Sequence, residues 1–280
     1  MRTKLLLVVG VLTLSVHTAI VAAGPAAQPA ESASKPSAKT WVGRYAEFEE
    51  CVRTSPVVRE QTTAVGVTRP RRIYFKEGGL CGGALYSDQR TSRESGYLES
   101  YQARIAAYEI DKLLGLDMVP PTVEREHGNT KGAAQLWVDN AVFRKELEGE
   151  RSPDLEGWNR QMRRWRVFDN FVADIDPNAG NQLVLRDPVW HLILVDHSRA
   201  FSNITRMVFP MERIDRPFFE RLKALDKPTL DAKIGKLVLD GSRSLLRRRD
   251  IIVAEFDKLV KSEIAKWGKV VKDAGIKIDL

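Results

Sequence analysis

Cysteine and histidine are scarce in this chain of 280 residues, which has two cysteines and four histidines. Two cysteines cannot build a disulfide-dense miniature scaffold, and His127, His191 and His197 lack the spacing of a zinc site. The sequence contains neither a Gly-x-Ser-x-Gly nor a Gly-x-x-x-x-Gly-Lys-Ser/Thr pattern. The signatures of an α/β-hydrolase and of a P-loop nucleotide site are therefore both missing.

Repetitive structure is also absent, because the 19 glycines follow no fixed period and no long heptad run occurs. Collagen-like and coiled-coil chains are therefore excluded. What remains is a chain with 43% hydrophobic and 29% charged residues and a formal net charge of +7. This composition can support a packed core, and the length suits one large domain or two small lobes.

The N-terminal segment predicts export. Arg2 and Lys4 precede an almost wholly apolar stretch, Leu5–Val21, and the small residues Ala22 and Ala23 follow. This order is typical of a secretory signal peptide, here residues 1–23. The alternative is an N-terminal membrane anchor. We expect an exported protein, either periplasmic or extracellular.

Residues 24–40 are rich in alanine, proline and serine without periodicity, which predicts a flexible linker. Removal of Arg2 and Lys4 with the signal peptide lowers the formal net charge from +7 to +5. An oxidising compartment would allow Cys51 and Cys81 to pair, although the sequence does not set the distance between them.

The first half of the remaining chain has the pattern of a small mixed lobe, residues 41–140. The predicted elements are a strand at Val65–Phe75, a turn at Gly78–Gly83, a strand at Ala84–Tyr86, a helix at Tyr97–Leu114, an extended segment at Met118–Val123 and a strand at Ala133–Val138. Apolar spacing, glycine turns and prolines support these assignments.

The second half, residues 141–280, has mainly helical periodicity. A helix is predicted over Trp158–Val172, two short strands over Gln182–Leu185 and His191–Val195, and further helices from Arg216 onward. The fold class is therefore α+β, with a mixed β/α N-lobe and a mainly helical C-lobe.

Polar residues concentrate after the predicted helix Trp158–Val172. Asp176 is followed five positions later by Asn181, and Asp196 stands at the end of the second short strand. Phosphoryl transfer needs a carboxylate near the acceptor hydroxyl and oxygen ligands for a metal that bridges nucleotide phosphates. The same residues also make good turns, which is the structural alternative.

Several segments in this order resemble the bacterial members of the atypical kinase superfamily, which spans phosphatidylinositol 3-/4-kinase-like and secreted Golgi-type protein kinases. The resemblance runs from about Gly66 to Leu259. Its landmarks are Ala106–Leu116, Val119–Val123, Gln135–Val138, Phe168–Phe171, the loop Asp176–Asn181 and Leu194–Phe201, with a weaker late match at Arg248–Asp250.

The resemblance implies a two-lobed protein-kinase-like fold with ATP in the cleft between the lobes. It implies that Asp176 is the catalytic-loop aspartate and that Asn181 and Asp196 bind Mg²⁺ or Mn²⁺. It also implies nucleotide contacts at Gln135 and Val138.

The chain departs from the family pattern in the small lobe. The family has a lysine where this chain has Ser87 and a glutamate where it has Arg104. That lysine and glutamate form the ion pair that positions the nucleotide phosphates in active kinases. Arg104 or Lys76 could supply the missing cation, since a guanidinium suits phosphate oxygens. In the catalytic loop, Asp174 stands where the family usually has asparagine.

Three functions follow. The first is a secreted kinase-like phosphotransferase that uses Mg-ATP on an unknown protein, lipid or small-molecule acceptor. The second is a pseudokinase that acts as a nucleotide-independent binding or scaffold module. The third is peripheral contact with anionic surfaces through basic helical faces, namely Arg160 to Arg166 and Arg243 to Arg249. Nucleic acid is not expected as a partner, because no aromatic platform accompanies the basic residues.

Overall fold

The computed structural model describes residues 38–63, 70–90, 99–202, 204, 206–238 and 240–275. The predicted signal peptide and most of the predicted linker lie outside these ranges. In the described part of the chain, no helix is long and apolar enough to cross a membrane.

The N-terminal region is built on an antiparallel five-stranded sheet with the order β1-β2-β3-β5-β4. The strands are β1 (Val57–Thr62), β2 (Arg71–Phe75), β3 (Gly83–Ser87), β4 (Thr122–His127) and β5 (Thr130–Leu136). Helix α1 (Tyr45–Thr54) precedes the sheet, and helix α2 (Tyr101–Leu114) connects β3 to β4.

Helix α2 begins and ends where its capping residues predict. The Ser100 hydroxyl accepts a hydrogen bond from the Gln102 amide, and Gly115 ends the helix in the left-handed conformation at φ 58°. Its buried residues contribute to the core of the C-terminal half, while Tyr101 and Ile105 pack against Ala133 of β5. The helix therefore ties the sheet to the helical region.

The C-terminal region contains a smaller sheet and four α-helices among the described residues, besides two short 3-10 helices at Arg144–Leu147 and Ala179–Asn181. Its strands are β6 (Ala141–Phe143), β7 (Gln182–Arg186) and β8 (Trp190–Leu194), and its helices are α3 (Leu155–Val172), α4 (Arg216–Ala224), α5 (Lys227–Ile234) and α6 (Gly241–Asp273). Aspartates cap three of these helices: Asp154, Asp215 and Asp226 each accept a hydrogen bond from a first-turn amide.

Two main hydrophobic clusters hold these regions together. The first lies under the five-stranded sheet and includes Trp41, Phe48 and Ile73. The second lies among α2, α3 and the C-terminal helices and includes Phe168 and Phe218. The predicted α+β class, with a β-rich N-terminal part and a helical C-terminal part, is confirmed.

A disulfide joins Cys51 of α1 to Cys81, in the turn before β3, across 30 positions of sequence. The pairing that the sequence left open is therefore formed in the structure. It fastens α1 to the sheet, where Phe48 and Val52 of the same helix are buried.

Some elements differ from the sequence prediction. Helix α1 and strands β1 and β6 were not predicted, and the segment predicted as extended up to Val123 continues as strand β4 to His127. Lys39, in the predicted linker, is buried, and its ammonium donates to the Asp117 carbonyl at 2.5 Å. The predicted strand residues 65–69 and helix residues 97 and 98 lie outside the described ranges.

Candidate functional site

A cavity of about 390 Å³ lies between the five-stranded sheet and the smaller sheet. Its lining includes Leu85, Gln135 and Val138 on one side and Asn181, Val195 and Asp196 on the other. The volume is within the range of small-molecule sites. Four residues of the predicted site, Gln135, Val138, Asn181 and Asp196, therefore line one cavity.

The loop Asp176–Asn181 is held by hydrogen bonds among its own polar groups. The side-chain nitrogen of Asn178 donates to Asp176 Oδ1 at 2.8 Å, and the side-chain nitrogen of Asn181 donates to the Asp176 carbonyl at 2.9 Å. The Asp176 amide donates to Asp174 Oδ1 at 2.9 Å. Because Asn181 uses its nitrogen as the donor, its side-chain oxygen is the atom left to act as a ligand.

Asp196 is placed by the segment that follows β8. It adopts the left-handed conformation at φ 59°, which is uncommon for a residue other than glycine. The Val195 amide donates to the Asn181 carbonyl at 2.9 Å, so the two segments that carry Asn181 and Asp196 are bonded to each other. The turn chemistry of both segments thus brings two oxygen donors to the same side of the cavity.

Arg104 of α2 forms an ion pair with Asp196, with 2.5 Å between Nη2 and Oδ1. Its side chain is 3% exposed, whereas that of Asp196 is 32% exposed. Burial would raise the pKa of Asp196, but Arg104 and the Ser198 hydroxyl outweigh it and lower that pKa below its ordinary value. The carboxylate is therefore ionised at neutral pH.

Ser87, at the end of β3, is 5% exposed and carries no charge. In the described small lobe, the lysine–glutamate pair implied by the resemblance is thus replaced by a buried hydroxyl and a buried guanidinium. The cation that pairs with Asp196 comes from helix α2.

Asp176 has a cationic partner of its own, which was not predicted. Arg199 Nη1 lies 3.1 Å from Asp176 Oδ2, and Arg199 Nε donates to Glu99 Oε1 at 2.5 Å. Glu99 is 3% exposed and also accepts a hydrogen bond from Gln89. Arg199 belongs to the Leu194–Phe201 motif, which was the available signal, but no local pattern connects Glu99 to a residue 100 positions away.

A buried cluster supports the loop from behind. One carboxylate oxygen each of Asp169 and Asp174 and one ring nitrogen of His197 lie within 4.8 Å of one another. Burial raises the pKa of Asp174 to about 7 and, with the charge of Asp174, raises that of Asp169, while burial lowers the pKa of His197 to about 4. Burial therefore disfavours charge on all three groups, which suits a structural support.

Gln135 presents an unused acceptor next to the cavity. Its amide nitrogen donates to Thr122 Oγ1 at 3.0 Å, and its oxygen is buried and has no hydrogen-bond partner in the described structure. A buried acceptor without a partner is costly, so a ligand N–H group would satisfy it. Apolar neighbours such as Leu85 and Val195 suit the faces of a planar ring.

The basic residue on the sheet side of the cavity is Arg72. Its guanidinium lies over the rings of Tyr74 at 4.5 Å and Trp137 at 3.9 Å. Lys76, proposed from sequence, follows β2, is exposed and is absent from the described residues that line the cavity. Strand alternation, which places Arg72 and Tyr74 on one face, was the signal that sequence reasoning missed.

These residues fit a nucleotide and a divalent metal. Asn181 and Asp196 offer the oxygen ligands that Mg²⁺ and Mn²⁺ prefer, and the unpartnered Gln135 oxygen offers an acceptor to a base. Two guanidinium groups, on Arg72 and Arg104, lie on the sheet side and the α2 side of the site.

No family model matches the chain, and no curated protein does. Among solved structures, the chain is similar to the Golgi casein kinase, with a TM-score of 0.59 and 14% identity over 78% of this chain and 77% of that one. A structure of the Golgi casein kinase with Mn/ADP bound has a TM-score of 0.55 and 14% identity over 75% of this chain and 74% of that one. The structure of hydra Fam20 with sugar has a TM-score of 0.60 and 14% identity over 78% of this chain and 89% of that one.

At these identities the likeness shows the fold alone. It confirms the predicted kinase-like architecture of a sheet-based N-terminal part and a helical C-terminal part. The roles of the individual site residues stay predictions.

Proposed function

We propose that this protein is an exported kinase-like phosphotransferase that binds ATP with Mg²⁺ or Mn²⁺ in the cavity between its two sheets. The observation that carries the proposal is that Asn181 and Asp196 line that cavity on hydrogen-bonded segments, while the Asn181 side chain also donates to the carbonyl of Asp176. A similar solved structure contains Mn/ADP, which supports the ligand class. Export rests on the sequence of residues 1–23, and the acceptor is a protein, a lipid or a small molecule.

In this proposal Asn181 and Asp196 hold the metal. When bound, the metal would neutralise charge on the nucleotide phosphates. Asp176 orients the acceptor hydroxyl and takes up its proton, and Arg199 positions Asp176 through the contact at 3.1 Å. Arg104 supplies a positive charge that an active kinase takes from its strand lysine.

Two variants separate binding from transfer. Asp196→Asn should lose metal-dependent nucleotide binding, measured by calorimetry with Mn²⁺ and ADP. Asp176→Asn should keep that binding and lose phosphate release or transfer from ATP. Asp257→Asn, an exposed acid of α6, is the matched control and should change neither measurement. Wild-type protein that binds no nucleotide with either metal would refute the proposal.

A second candidate is a pseudokinase that works as a binding or scaffold module. The observation that favours it is the direct contact of Arg104 with Asp196, which puts a cation on a proposed metal ligand. A pseudokinase should transfer no phosphate, and its affinity for any nucleotide should be the same in EDTA and in Mg²⁺. Transfer that is lost in Asp176→Asn would exclude this alternative.

A further inference from the structure

A second cavity, of about 260 Å³, lies at the N-terminal end of α6. Its lining includes Ile204, Arg243, Ser244, Arg247, Arg248 and Ile251. Three of these residues carry a guanidinium group, and the proposed function uses none of them. The cavity is therefore rich in positive charge and in hydrogen-bond donors.

Arg248 is buried in this lining without an anionic partner. It is 4% exposed, and it donates from Nε to the Asn170 carbonyl and from Nη1 to the Ile204 carbonyl, both at 2.5 Å. Its Nη2 is buried and has no hydrogen-bond partner among the described residues, and no carboxylate opposes the lowering of the Arg248 pKa by burial. A buried charge that lacks an anion is costly, so this nitrogen calls for a ligand.

Arg243 and Arg247 add to the unbalanced charge. They lie one turn apart near the start of α6, where their like charges repel each other and face the positive end of the helix dipole. The helix has no side-chain cap and no acidic residue in its first turn. The lining also contains Asp240, 3.9 Å from Arg243, so one carboxylate faces three guanidinium groups.

We propose that the N-terminal end of α6 is a binding site for a phosphate-class oxyanion. Guanidinium groups match the geometry of phosphate oxygens, and a helix N-terminus favours negative charge. The ligand could be free orthophosphate or the phosphomonoester of a larger molecule, since both present the same oxygens. An anion here would offset the repulsion between Arg243 and Arg247 and give Arg248 its missing partner.

The test uses the full exported chain and orthophosphate at constant ionic strength, with affinity measured by calorimetry. Arg247→Gln should weaken binding at least tenfold, and Arg243→Gln should do the same, because both side chains are exposed and can be changed without unfolding the protein. Arg216→Gln is the matched control, since Arg216 is the first residue of α4 and its side chain is 90% exposed. It should stay within twofold of wild type.

Glycerol 3-phosphate in the same assay separates the two sources. Tighter binding than orthophosphate supports an ester ligand, and weaker binding supports the free ion. The proposal is overturned if wild type binds neither probe, or if Arg247→Gln and Arg243→Gln bind orthophosphate as tightly as wild type. Binding in the nucleotide cavity would give the second result, because those arginines do not line it.

A separate observation concerns the distal part of α6, where residues 257–270 are exposed all around the helix. Three large apolar side chains on this part are exposed by more than half: Val260 by 54%, Ile264 by 66% and Trp267 by 58%. Their spacing of four and three places them on one helical face. None of the described residues covers this apolar face.

The other face of the same segment is basic. Its lysines are Lys258, Lys261, Lys266, Lys269 and Lys272. Residues 258–272 contain five lysines and one acid, Glu263, which gives a net charge of +4. At about 100° per residue these lysines all lie roughly 100° or more around the helix from Trp267, so apolar and basic residues occupy separate arcs.

We infer that this segment docks on an anionic bilayer surface, with Trp267 at the headgroup level and the lysines toward the anionic lipid. A helix with aromatic and aliphatic residues on one face and lysines on the opposite face has the pattern of a helix that lies at a membrane interface. A second copy of the chain fits less well, because two segments of charge +4 would repel each other. An anionic lipid surface attracts the same charge, and each lysine near the surface raises the partition coefficient onto the membrane by about fivefold.

Vesicles test this inference on the full chain. Phosphatidylglycerol-containing vesicles should bind the protein at least tenfold more tightly than phosphatidylcholine vesicles, and 0.5 M salt should reduce binding (on the order of a few-fold or more). Trp267→Glu should abolish binding and Lys269→Glu should weaken it, while Lys236→Glu, an exposed lysine outside α6, should not. The inference is overturned if the protein does not bind the anionic vesicles. It is also overturned if Trp267→Glu leaves vesicle binding unchanged and instead dissociates a dimer, because the face would then bind a second copy of the chain.

Discussion

Neutralising Arg104 tests the charge arrangement of the site more directly than any other change. Arg104→Gln removes the guanidinium that lies 2.5 Å from Asp196 and leaves a shorter, neutral polar side chain. The effect on stability depends on which partner is left alone. Arg104 is 3% exposed and Asp196 is 32% exposed, so water can solvate the aspartate but not the arginine.

The two single changes should therefore have unequal costs. Removing one member of a fully buried ion pair costs about 3–5 kcal/mol, and an exposed pair contributes about 0–1 kcal/mol. Arg104→Gln leaves a partly hydrated carboxylate, so we expect a loss of about 2 kcal/mol. Asp196→Asn leaves a buried guanidinium, so we expect about 3–5 kcal/mol. The double variant should recover about 1–3 kcal/mol of the summed loss.

Urea unfolding in EDTA, followed by tryptophan fluorescence, measures all four proteins of this cycle. Adding Mn²⁺ then extends the comparison: it should stabilise Arg104→Gln more than wild type, because the metal replaces the missing cation on Asp196. Additive losses in the cycle, or a larger loss for Arg104→Gln than for Asp196→Asn, would contradict the ion pair as described.

Three further predictions concern stability. Asp174→Asn should stabilise the protein by about 1–3 kcal/mol at pH 8 and not at pH 4. Burial raises the pKa of Asp174 to about 7, so the wild-type protein loses stability as the pH rises toward that value. The same stabilisation at both pH values in urea unfolding would refute this. Reduction of the Cys51–Cys81 bond should cost about 3–4 kcal/mol in urea unfolding, from the closed loop of 30 positions, and a double serine variant as stable as the oxidised protein would disagree. Gly83→Ala should cost about 2 kcal/mol or more in thermal unfolding, because a Cβ there would meet the Ile73 carbonyl oxygen, whereas an unchanged midpoint would show that β2 and β3 can separate freely.

Local pattern was sufficient for the elements that are apolar on one face or clearly capped. The end of α2 follows from Gly115, and α3 follows from the apolar spacing up to Val172. Strand β1 was missed because five of its six residues are exposed at the edge of the sheet, so its sequence shows no alternation. Helix α1 was missed because it buries little beyond Phe48 and Val52.

The site shows a similar division. The order of Asp176, Asn181 and Asp196 was readable because each stands in a turn whose residues are adjacent in sequence. Contacts between distant segments were not readable: the Arg199–Glu99 pair joins residues 100 positions apart. The sequence showed that an arginine stands at position 104 where the resembled family has glutamate, but only the packing of α2 showed that it forms an ion pair with Asp196.

These contacts connect the start of α2 to the carboxylates of both Asp176 and Asp196. Glu99, just before the helix, holds Arg199, which contacts Asp176, and Arg104, in the first turns of the helix, contacts Asp196. A shift of this end of α2 would therefore disturb the proposed catalytic base, Asp176, and a proposed metal ligand, Asp196, together. In a kinase with a strand lysine, by contrast, the helix glutamate acts on the site through that lysine. Here Arg104 of the helix contacts Asp196 directly and Glu99 reaches Asp176 through Arg199, so three ion pairs couple this end of α2 to the two carboxylates.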